Sequence, residues 1–460
     1  MKIESKNIEK SSYIQKKSFY IKNYGCQMNL SDSDIITSIL LKNGFYLSNN
    51  IKDANIILFN SCSIREKPEI ILKNHIEELK YLKKNGVLFG VLGCFSKKFK
   101  DSLLKKSKID FFIKPNSYKI IPNIIISLKK GKKDKIHYNN YHHQNNSSES
   151  YEDITPYRIK NKSITTFLSI IRGCNNMCTF CIVPFTRGRE LSINPDYIIK
   201  ECYKLYKKGY KEVVLLGQNV NSYKWNNNNK DQTINFANLL KIIAENFPKI
   251  RIRFTTSNPH DMSDDVLITI SKYNNICKHI HLPVQSGSNK ILKLMNRKYS
   301  RENYLFLIKK IRNIIPNCSI SHDIMIGFCN ENEKDHLDTI SLMNKVKYNY
   351  GYMFSYSPRP GTYADKKLID NVPKYIKKRR LKEIITLQKE HSLFRMNEFL
   401  GKNQEILIEG ESKKNHEHWY GRNSQNLVVV FPKKKHLKIG ELVLVNIIKY
   451  TSATLIGHII

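Results

Sequence analysis

Long apolar segments are missing from this sequence. No window approaches the roughly 20 apolar residues that a membrane-spanning helix requires, and the run NIIISL at 123–128 is far too short. The first residues, MKIESKNIEKSSYIQKK, are polar and charged and lack the apolar centre of a signal peptide. We therefore expect no membrane association and a cytoplasmic location.

Acidic residues are scarce compared with basic ones. The chain of 460 residues contains 77 Lys and Arg but 40 Asp and Glu, which gives a formal net charge of +37. A surplus of this size favours polyanionic partners, above all nucleic acid. A composition that is generally rich in Lys, with the extra Lys on solvated faces, would account for part of the surplus.

Zinc-binding motifs are also missing. The 14 His form neither H-E-x-x-H nor H-x-x-E-H, so no zinc site of these types is indicated. Ten Cys are present, and in a cytoplasmic protein clustered thiols are better candidates for metal ligands or catalysts than for disulfides. Cys202, Cys277 and Cys318 have no partner spacing, and we interpret them as small buried apolar residues.

The N-terminal region alternates strand-like and helix-like segments. Three segments that end in Cys are predicted strands: FYIKNYGC (19–26), ANIILFNSC (54–62) and GVLFGVLGC (86–94). The alternation predicts an α/β domain with a doubly wound parallel sheet over residues 18–130. Cys26, Cys62 and Cys94, the N-terminal triad, would lie at carboxyl ends of strands, where such sheets bind ligands. We expect the three thiols to converge, the alternative being buried, inert Cys.

Three further regions follow. Residues 131–163 are polar and predict a linker. Residues 164–400 contain six strand–helix units and end in a Lys- and Arg-rich helix, which predicts a partial (β/α)6 barrel that is open on one side. Residues 401–460 contain short strands with Gly and Asn turns and predict a small all-β barrel of the OB type.

A second set of Cys lies in RGCNNMCTFCIVPFTRGRE at 172–190. Cys174, Cys178 and Cys181, the barrel triad, have C-x3-C-x2-C spacing, and no fourth Cys is nearby. Three thiolates can each hold one iron of a four-iron cluster, and the missing fourth ligand leaves one iron open to a small molecule. A four-ligand zinc site and a fully ligated cluster of the ferredoxin type remain alternatives from the spacing alone.

Taken together, these motifs resemble a known family. The matching segments are YGCQMNLSDSD, NSCSIREK, LGC, RGCNNMCTFCIVPFTRGRE, LLGQNVNSY, RFTTSNP, HLPVQSGS and PRPGT. Over about residues 18–460 the chain resembles the radical S-adenosylmethionine methylthiotransferases. YGCQMN, CSIREK and GQNV are similar to the branch that acts on N6-dimethylallyladenosine in tRNA, and the tail resembles the TRAM domain, an RNA-binding module.

The resemblance implies two [4Fe–4S] clusters and S-adenosylmethionine as cofactors. The barrel triad would hold a cluster whose open iron binds S-adenosylmethionine, and cleavage of that molecule would give a 5′-deoxyadenosyl radical. The N-terminal triad would hold an auxiliary cluster that carries the sulfur. One S-adenosylmethionine would methylate this sulfur and a second would supply the radical, so that C2 of an adenosine expected at position 37 receives a methylthio group.

The resemblance also implies partners. The substrate would be a tRNA anticodon stem-loop that carries isopentenylated adenosine, and an external electron donor and a sulfur donor would be required. We expect a monomer. Alternative acceptors are threonylcarbamoyl-adenosine in tRNA and an aspartate of a ribosomal protein. An iron–sulfur electron carrier fused to an RNA-binding module is an alternative of another class, although a carrier needs no barrel-sized middle domain.

Polar residues at the strand ends of the predicted barrel are candidates for binding S-adenosylmethionine or the target base. They are Gln218, Ser257, Gln285 and Asp323. Such residues also commonly form hydrogen bonds within loops. The chain departs from the family pattern at Cys329 and Asn330, where Pro-Gly is more typical, whereas Glu331 and Glu333 remain.

Basic segments are candidates for contacts with RNA phosphates. KKRR at 377–380 would either contact phosphates or form a solvated helix face. The tail carries basic and aromatic side chains together: Lys413, Lys414, Arg422 and Lys433 to Lys435, with Tyr420 and Phe431 among them. This combination suits an RNA loop, whose backbone is anionic and whose bases can stack.

Overall fold

The computed structural model describes residues 17–62, 66–104, 108–130, 150–159, 163–227 and 232–460. Along the chain it forms a parallel sheet, then two three-stranded sheets that curve into a partial barrel, then a closed five-stranded barrel. The predicted fold class is confirmed. Within the described ranges, no helix has both the length and the apolar character needed to cross a membrane.

The N-terminal part is a five-stranded parallel sheet with helices on both faces. Its elements are β1 (Ser18–Tyr24), α1 (Gln27–Lys42), β2 (Tyr46–Leu47), β3 (Ile56–Ser61), α2 (Glu66–Glu78), α3 (Lys80–Lys84), β4 (Leu88–Gly93), α4 (Lys97–Leu104), β5 (Phe111–Ile113) and α5 (Ile121–Lys129). The strand order is β2-β1-β3-β4-β5. Because α1 and α5 cover one face and α2, α3 and α4 the other, β3 is buried at every position. This explains the apolar run at 56–59.

The central part is built from six parallel strands with helices outside. Its elements are β6 (Thr165–Ser169), β7 (Ile171–Arg172), α6 (Val183–Arg187), β8 (Leu191–Ser192), α7 (Pro195–Lys207), β9 (Glu212–Leu216), β10 (Lys224–Asn227), β11 (Gln232–Asn235), α8 (Phe236–Asn246), β12 (Arg251–Thr255), α9 (Asp264–Lys272), β13 (His279–His281), α10 (Asn289–Leu294), α11 (Arg301–Ile314), β14 (Ser319–Ile326), α12 (Glu333–Val346), β15 (Tyr350–Ser355), α13 (Tyr363–Lys367) and α14 (Lys374–Asn397).

The six barrel strands follow one another in sequence order. β6, β9 and β12 form one sheet and β13, β14 and β15 the other. The two sheets are joined where the Ser257 amide donates to the His281 carbonyl (3.2 Å) and the Cys277 amide donates to the Ile252 carbonyl (2.9 Å). β6 and β15, the first and last strands of the described barrel, do not pair with each other. The predicted partial barrel, open on one side, is therefore confirmed.

Helix starts follow the local sequence. The Asn194 side chain accepts a hydrogen bond from the Asp196 amide, and Pro195 occupies the first turn of α7, as predicted. Asn235 and Ser300 each begin a capping box, at α8 and α11. These caps define the first residues of α7, α8 and α11.

The C-terminal part is a closed barrel. Its strands are β16 (Asn403–Glu411), β17 (His418–Arg422), β18 (Val428–Pro432), β19 (Leu442–Tyr450) and β20 (Thr454–Ile459), in the order β16-β17-β18-β20-β19. Arg253 on β12 donates to the backbone carbonyls of Asn423 (2.7 Å) and Ser424 (3.1 Å), and Arg251 donates to that of Arg422 (3.0 Å). The closed barrel thus contacts the central part near the amino end of β12.

The segment predicted as a linker, 131–163, is described only in part. Residues 131–149 and 160–162 lie outside the described residues, but 150–159 are packed against both neighbouring parts. The Tyr151 hydroxyl is buried and donates to the Pro115 carbonyl (2.7 Å). Arg158 pairs with Asp34 of α1 (3.2 Å) and donates to the Phe167 carbonyl of β6 (2.9 Å). This segment therefore fastens α1 to the central barrel.

Candidate cluster sites at the two sheet edges

The N-terminal triad lies at one edge of the parallel sheet, as predicted. Strands β1, β3 and β4 are adjacent, and Tyr24, Ser61 and Gly93 are in register at their carboxyl ends. Cys26, Cys62 and Cys94 follow within two residues of these ends. Cys62 and Cys94 are buried whereas Cys26 is exposed, so the triad opens to solvent on the side of β1.

Two Asn and two Gly shape this edge. The Asn29 side chain donates to Asn60 Oδ1 (3.0 Å), and Asn60 donates back to the Asn29 carbonyl (2.8 Å). A Cβ on Gly93, whose φ is +87°, would lie 2.5 Å from Asn60 Oδ1, and a Cβ on Gly25 would lie 2.7 Å from Cys62 Cβ. Only Gly fits at both positions. The backbone can therefore close around the thiols without intervening side chains.

Electrostatics at this edge favour a thiolate. A hydrogen bond with the Cys62 side chain lowers the pKa of Cys26 to about 6, and the positive charge of Arg187 also lowers it. Thiolates are the form that binds metals. Three thiols with at least one easily ionised member are a donor set that suits an iron–sulfur cluster.

The barrel triad lies in the loop after β7. Gly173, with φ of +78°, turns the chain so that the Cys174 amide donates to the Gly188 carbonyl (3.2 Å). The Cys181 amide donates to the Cys178 carbonyl (3.0 Å). Burial raises the pKa of Cys174 to about 11 and that of Cys181 to about 12. These two thiols keep their protons until a metal displaces them.

Residues just after α10 form hydrogen bonds with this loop. The Thr179 amide donates to the Met295 carbonyl (3.1 Å), and the Asn296 side chain donates to the Met177 carbonyl (2.8 Å). Arg297 Nη1 donates to Cys178 Sγ (3.3 Å). The loop is thus held in place by protein contacts, which is the preorganisation that a cofactor site requires.

A buried ionic network connects the two triads. Asp32 of α1 is fully buried and pairs with Arg172 (2.7 Å) and with Arg187 (2.8 Å). Burial alone would raise the pKa of Asp32, but Arg187 and Arg172 hold it below its ordinary value. α1 begins directly after Cys26, and the two arginines flank the barrel triad in sequence. The network therefore fixes one cysteine site relative to the other.

Gln218, Ser257 and Gln285 follow the carboxyl ends of β9, β12 and β13 as predicted, but Asp323 lies inside β14 and not at its end. Gln218 Oε1 and Ser257 Oγ are buried and have no hydrogen-bond partner among the described residues. This leaves both atoms free for a ligand and disfavours the alternative of loop hydrogen bonding. Gln285 has φ of +70°, and its amide donates to the Asp323 carbonyl (2.9 Å). The Asp323 carboxylate, about a quarter exposed, lies 3.6 Å from His281 Nε2.

Asp32, Arg297 and His281 were missed by the sequence analysis. Asp32 lies within the motif YGCQMNLSDSD, but its partner Arg172 is 140 residues away in the chain. Arg297 lies in a segment without a recognised motif, 119 residues from Cys178. No local pattern reports such contacts. The only available signal was the presence of Asp32, Arg172 and His281 inside the quoted motifs.

The loop after β14 is ordered despite its departure from Pro-Gly. Cys329 is fully buried, and Asn330 has φ of +61°, a conformation that Asn tolerates better than most residues. Glu331 accepts from the Gly327 amide (2.8 Å) and pairs with Arg380 (2.8 Å). Asn330 therefore adopts the left-handed conformation that Gly adopts readily.

Two predictions about basic segments need correction. In KKRR, Lys377 and Arg380 are buried, and Lys377 pairs with Asp370 (2.6 Å), so neither is a phosphate contact or part of a solvated face. In the tail, Phe431 is fully buried in the core of the closed barrel and cannot stack on a base. The basic and aromatic side chains that do lie together are Lys433 and Trp419, with Lys433 Nζ 4.8 Å from the centre of the Trp419 ring.

Within the described part of the chain, no three His, Cys, Asp or Glu side chains converge closely enough to hold a single metal ion. The thiolates of a four-iron cluster need not converge in this way, because each binds a different iron. The two triads are therefore candidates for clusters, and each supplies three thiols.

Three family profiles match successive parts of the chain. They are the uncharacterized protein family UPF0004 over residues 18–114, the radical SAM superfamily over 168–343 and the TRAM domain over 398–460. A solved structure of similar fold is the radical S-adenosylmethionine methyltransferase TsrM from Kitasatospora setae, with a TM-score of 0.57 and 10% identity, covering 76% of this chain and 77% of that chain. Fold, profile and barrel triad together define a radical S-adenosylmethionine enzyme.

Curated relatives narrow the family. The tRNA-2-methylthio-N(6)-dimethylallyladenosine synthase of Karelsulcia muelleri is 55% identical over 457 residues, which cover 96% of this chain and 99% of the relative. The synthase of Christiangramia forsetii is 49% identical, over 95% of this chain and 93% of the relative. The chain belongs to the tRNA-2-methylthio-N(6)-dimethylallyladenosine synthase family, which confirms the resemblance seen in the motifs.

Proposed function

We propose that this chain transfers a methylthio group to C2 of N6-(dimethylallyl)adenosine in tRNA, expected at position 37, using two molecules of S-adenosylmethionine. The observation that carries the proposal is the pair of three-cysteine sites, one on each sheet edge, joined by the Asp32 network. Membership of the synthase family supports the same reaction, and the net charge of +37 suits an RNA substrate.

Each triad would hold one [4Fe–4S] cluster through three thiolates. The residues present suit these clusters. Glycines line the sheet edge around Cys62 and Cys94, and hydrogen bonds hold the loop of the barrel triad in place. When bound, the two clusters supply the electron that cleaves S-adenosylmethionine and the sulfur that is transferred. The protein's own task is to hold the reacting groups in register and to exclude water.

The strand-end residues divide the remaining work. Gln218 and Ser257, with their unpaired oxygen atoms, would bind polar groups of S-adenosylmethionine. Asp323 is partly exposed beside His281, so its carboxylate would accept a hydrogen bond from the adenine and orient the base. An anticodon-loop nucleotide can be unstacked and offered to such a site at lower cost than a base inside a helix.

The proposal also includes the partners and organisation that the resemblance implies. The substrate would be the anticodon stem-loop, and an external electron donor and a sulfur donor would serve the two clusters. The chain would act as a monomer in the cytoplasm, with domains at 18–130, 164–400 and 401–460. The closed barrel matches the TRAM domain, which supports a role in holding the RNA.

An anaerobic assay tests the proposal. The reconstituted protein is given reductant, S-adenosylmethionine and isopentenylated tRNA, and the products are measured by liquid chromatography and mass spectrometry. We expect 5′-deoxyadenosine, S-adenosylhomocysteine and 2-methylthio-N6-(dimethylallyl)adenosine in the tRNA digest. Both by-products without modified tRNA would indicate another acceptor, and the absence of all three would indicate an electron carrier.

A variant comparison tests the division of labour. Cys26→Ala, Cys62→Ala and Cys94→Ala should each abolish methylthiolation while leaving cleavage of S-adenosylmethionine largely intact. Cys318→Ala, a change at a partly buried Cys outside both triads, is the matched control and should retain both activities. Loss of both activities in the N-terminal variants, with the barrel cluster still assembled, would contradict the assignment.

A further inference from the structure

Arg297 has an unusual set of partners for a guanidinium in a protein interior. Its Nε donates to the Tyr299 hydroxyl (2.9 Å), and its Nη2 donates to the Pro283 carbonyl (3.0 Å) and Asn258 Oδ1 (3.4 Å). Its Nη1 donates to Cys178 Sγ (3.3 Å). None of the acidic side chains in the described ranges forms an ion pair with it. Among these four partners, Cys178 is the candidate cluster ligand, and a sulfur that binds iron does so as a thiolate.

The neighbouring hydroxyl does not supply that charge. The Tyr299 oxygen accepts from Arg297, and the hydroxyl donates to the Val284 carbonyl (2.9 Å). Burial raises the pKa of Tyr299 above its ordinary value, so it remains neutral. A desolvated cation without an anionic partner is costly. The Cys178 sulfur, 3.3 Å from Arg297 Nη1, is therefore the partner that would bring a negative charge to the guanidinium when it binds a cluster.

The positive charge of Arg297 also reaches the other two members of the barrel triad. It acts to lower the pKa of both Cys174 and Cys181, against the burial that raises them. Arg297 follows directly on the residues that support the loop, since Met295 and Asn296 bind the backbone of Thr179 and Met177. Its distance from the sulfur is thus set by the same segment that fixes the loop.

We propose that Arg297 is a positioning residue that stabilises the thiolate of Cys178 and thereby raises the reduction potential of the cluster held by the barrel triad. This inference rests on the proposed function, because it assumes that cluster. A donor hydrogen bond and a nearby positive charge stabilise the reduced cluster, which carries one more electron, over the oxidised one. The electron comes from the external donor, and Arg297 itself undergoes no chemistry.

The test is the midpoint potential of the barrel cluster, measured without tRNA by anaerobic redox titration with electron paramagnetic resonance. The signal that changes on addition of S-adenosylmethionine identifies this cluster, but the titration itself is performed before that addition. In Arg297→Gln we expect about a tenfold lower ratio of reduced to oxidised cluster at a fixed potential, or about 59 mV for a one-electron couple. Iron content, measured in parallel, should match that of the wild type.

Two further variants separate charge from packing. Arg297→Lys keeps the charge and should leave the potential within about twofold of the wild-type ratio. Tyr299→Phe removes a neighbour of the guanidinium but leaves Arg297 beside the sulfur, so it should also change the ratio by less than about twofold. If Arg297→Gln loses iron from the barrel site, its potential cannot be compared with that of the wild type, and Arg297→Lys becomes the test. Retained iron and a near wild-type potential in Arg297→Lys would support the role of the charge.

Several outcomes would overturn the inference. An unchanged potential in Arg297→Gln with full iron content, or a potential in Arg297→Lys as low as that of the Gln variant, would do so. Weaker binding of S-adenosylmethionine at an unchanged potential would assign Arg297 to that ligand instead. Failure of the proposed function looks different, since the wild-type protein would then show no cluster signal that responds to S-adenosylmethionine.

Discussion

The buried pairing of Asp32 with two arginines makes a strong prediction for Asp32→Asn. The substitution preserves shape but removes the carboxylate that Arg172 and Arg187 share, at 2.7 and 2.8 Å. All three side chains are at most 4% exposed. Two guanidinium groups would then face each other in the interior without the carboxylate that now separates their charges.

The expected magnitude follows from the burial of the network. With charges about 4 Å apart and an effective dielectric constant near 20, each ion pair is worth about 4 kcal/mol before desolvation. Removing one partner of a buried pair typically costs about 3–5 kcal/mol. Since one carboxylate serves two arginines, we expect a loss of about 5 kcal/mol in the free energy of unfolding.

Urea unfolding measured with and without the substitution provides the assay, with hydrogen exchange of α1 to localise the effect. Asp264→Asn is the matched control, because Asp264 is exposed and its partner Lys310 is partly exposed, and such a pair contributes at most about 1 kcal/mol. We expect faster exchange in α1 for Asp32→Asn only. If the two variants lose the same small amount of stability, the network does not hold the two parts of the chain together.

Three further perturbations have predicted outcomes. Arg253→Gln removes the hydrogen bonds to the loop of the closed barrel and should lower the free energy of unfolding by about 3 kcal/mol. Trp419 fluorescence should show the closed barrel unfolding at a lower urea concentration. An unchanged unfolding midpoint would refute the role of Arg253 in holding this barrel against β12. Gly93→Ala places a Cβ 2.5 Å from Asn60 Oδ1, so the iron content at the N-terminal triad should fall at least severalfold. Full iron content in this variant would contradict the role of Gly93 at the cluster site. Burial lowers the pKa of His322 from 6.5 to about 4, so the unfolded chain binds a proton that the folded one does not, and stability should fall by about 3 kcal/mol as pH falls from about 6.5 to 4. His322→Gln should remove this part of the dependence, and an unchanged pH profile in the variant would count against it.

The sheet of the N-terminal part was largely predictable because its central strands are buried on both faces. β3 begins with the apolar run 56–59 and β4 contains only apolar residues and Gly, and a Cys follows directly after each strand. β2 and β5 were missed because they have two and three residues, too few for a pattern to show. β17 shows no apolar run, because the two aromatic residues of His418–Arg422 are flanked by polar residues and Gly and are only partly buried.

The positions of the six cysteines at the strand ends and in the loop after β7 could be predicted from the sequence, but the surroundings of these cysteines could not. The contacts of Asp32 and Arg297 join residues more than a hundred positions apart, and periodicity reports only local neighbours. For the same reason Phe431 was misjudged, since an aromatic residue between basic ones has the same pattern whether its side chain faces the barrel core or the solvent.

The central claim is that the chain holds two four-iron clusters, each through three thiolates. Iron analysis with Mössbauer spectroscopy of anaerobically reconstituted protein tests this most directly. We predict about eight irons per chain in the wild type and about four after replacement of either triad by Ala, with one iron of each cluster lacking a protein ligand. About four irons in the wild type, or clusters in which every iron has a protein ligand, would contradict the account.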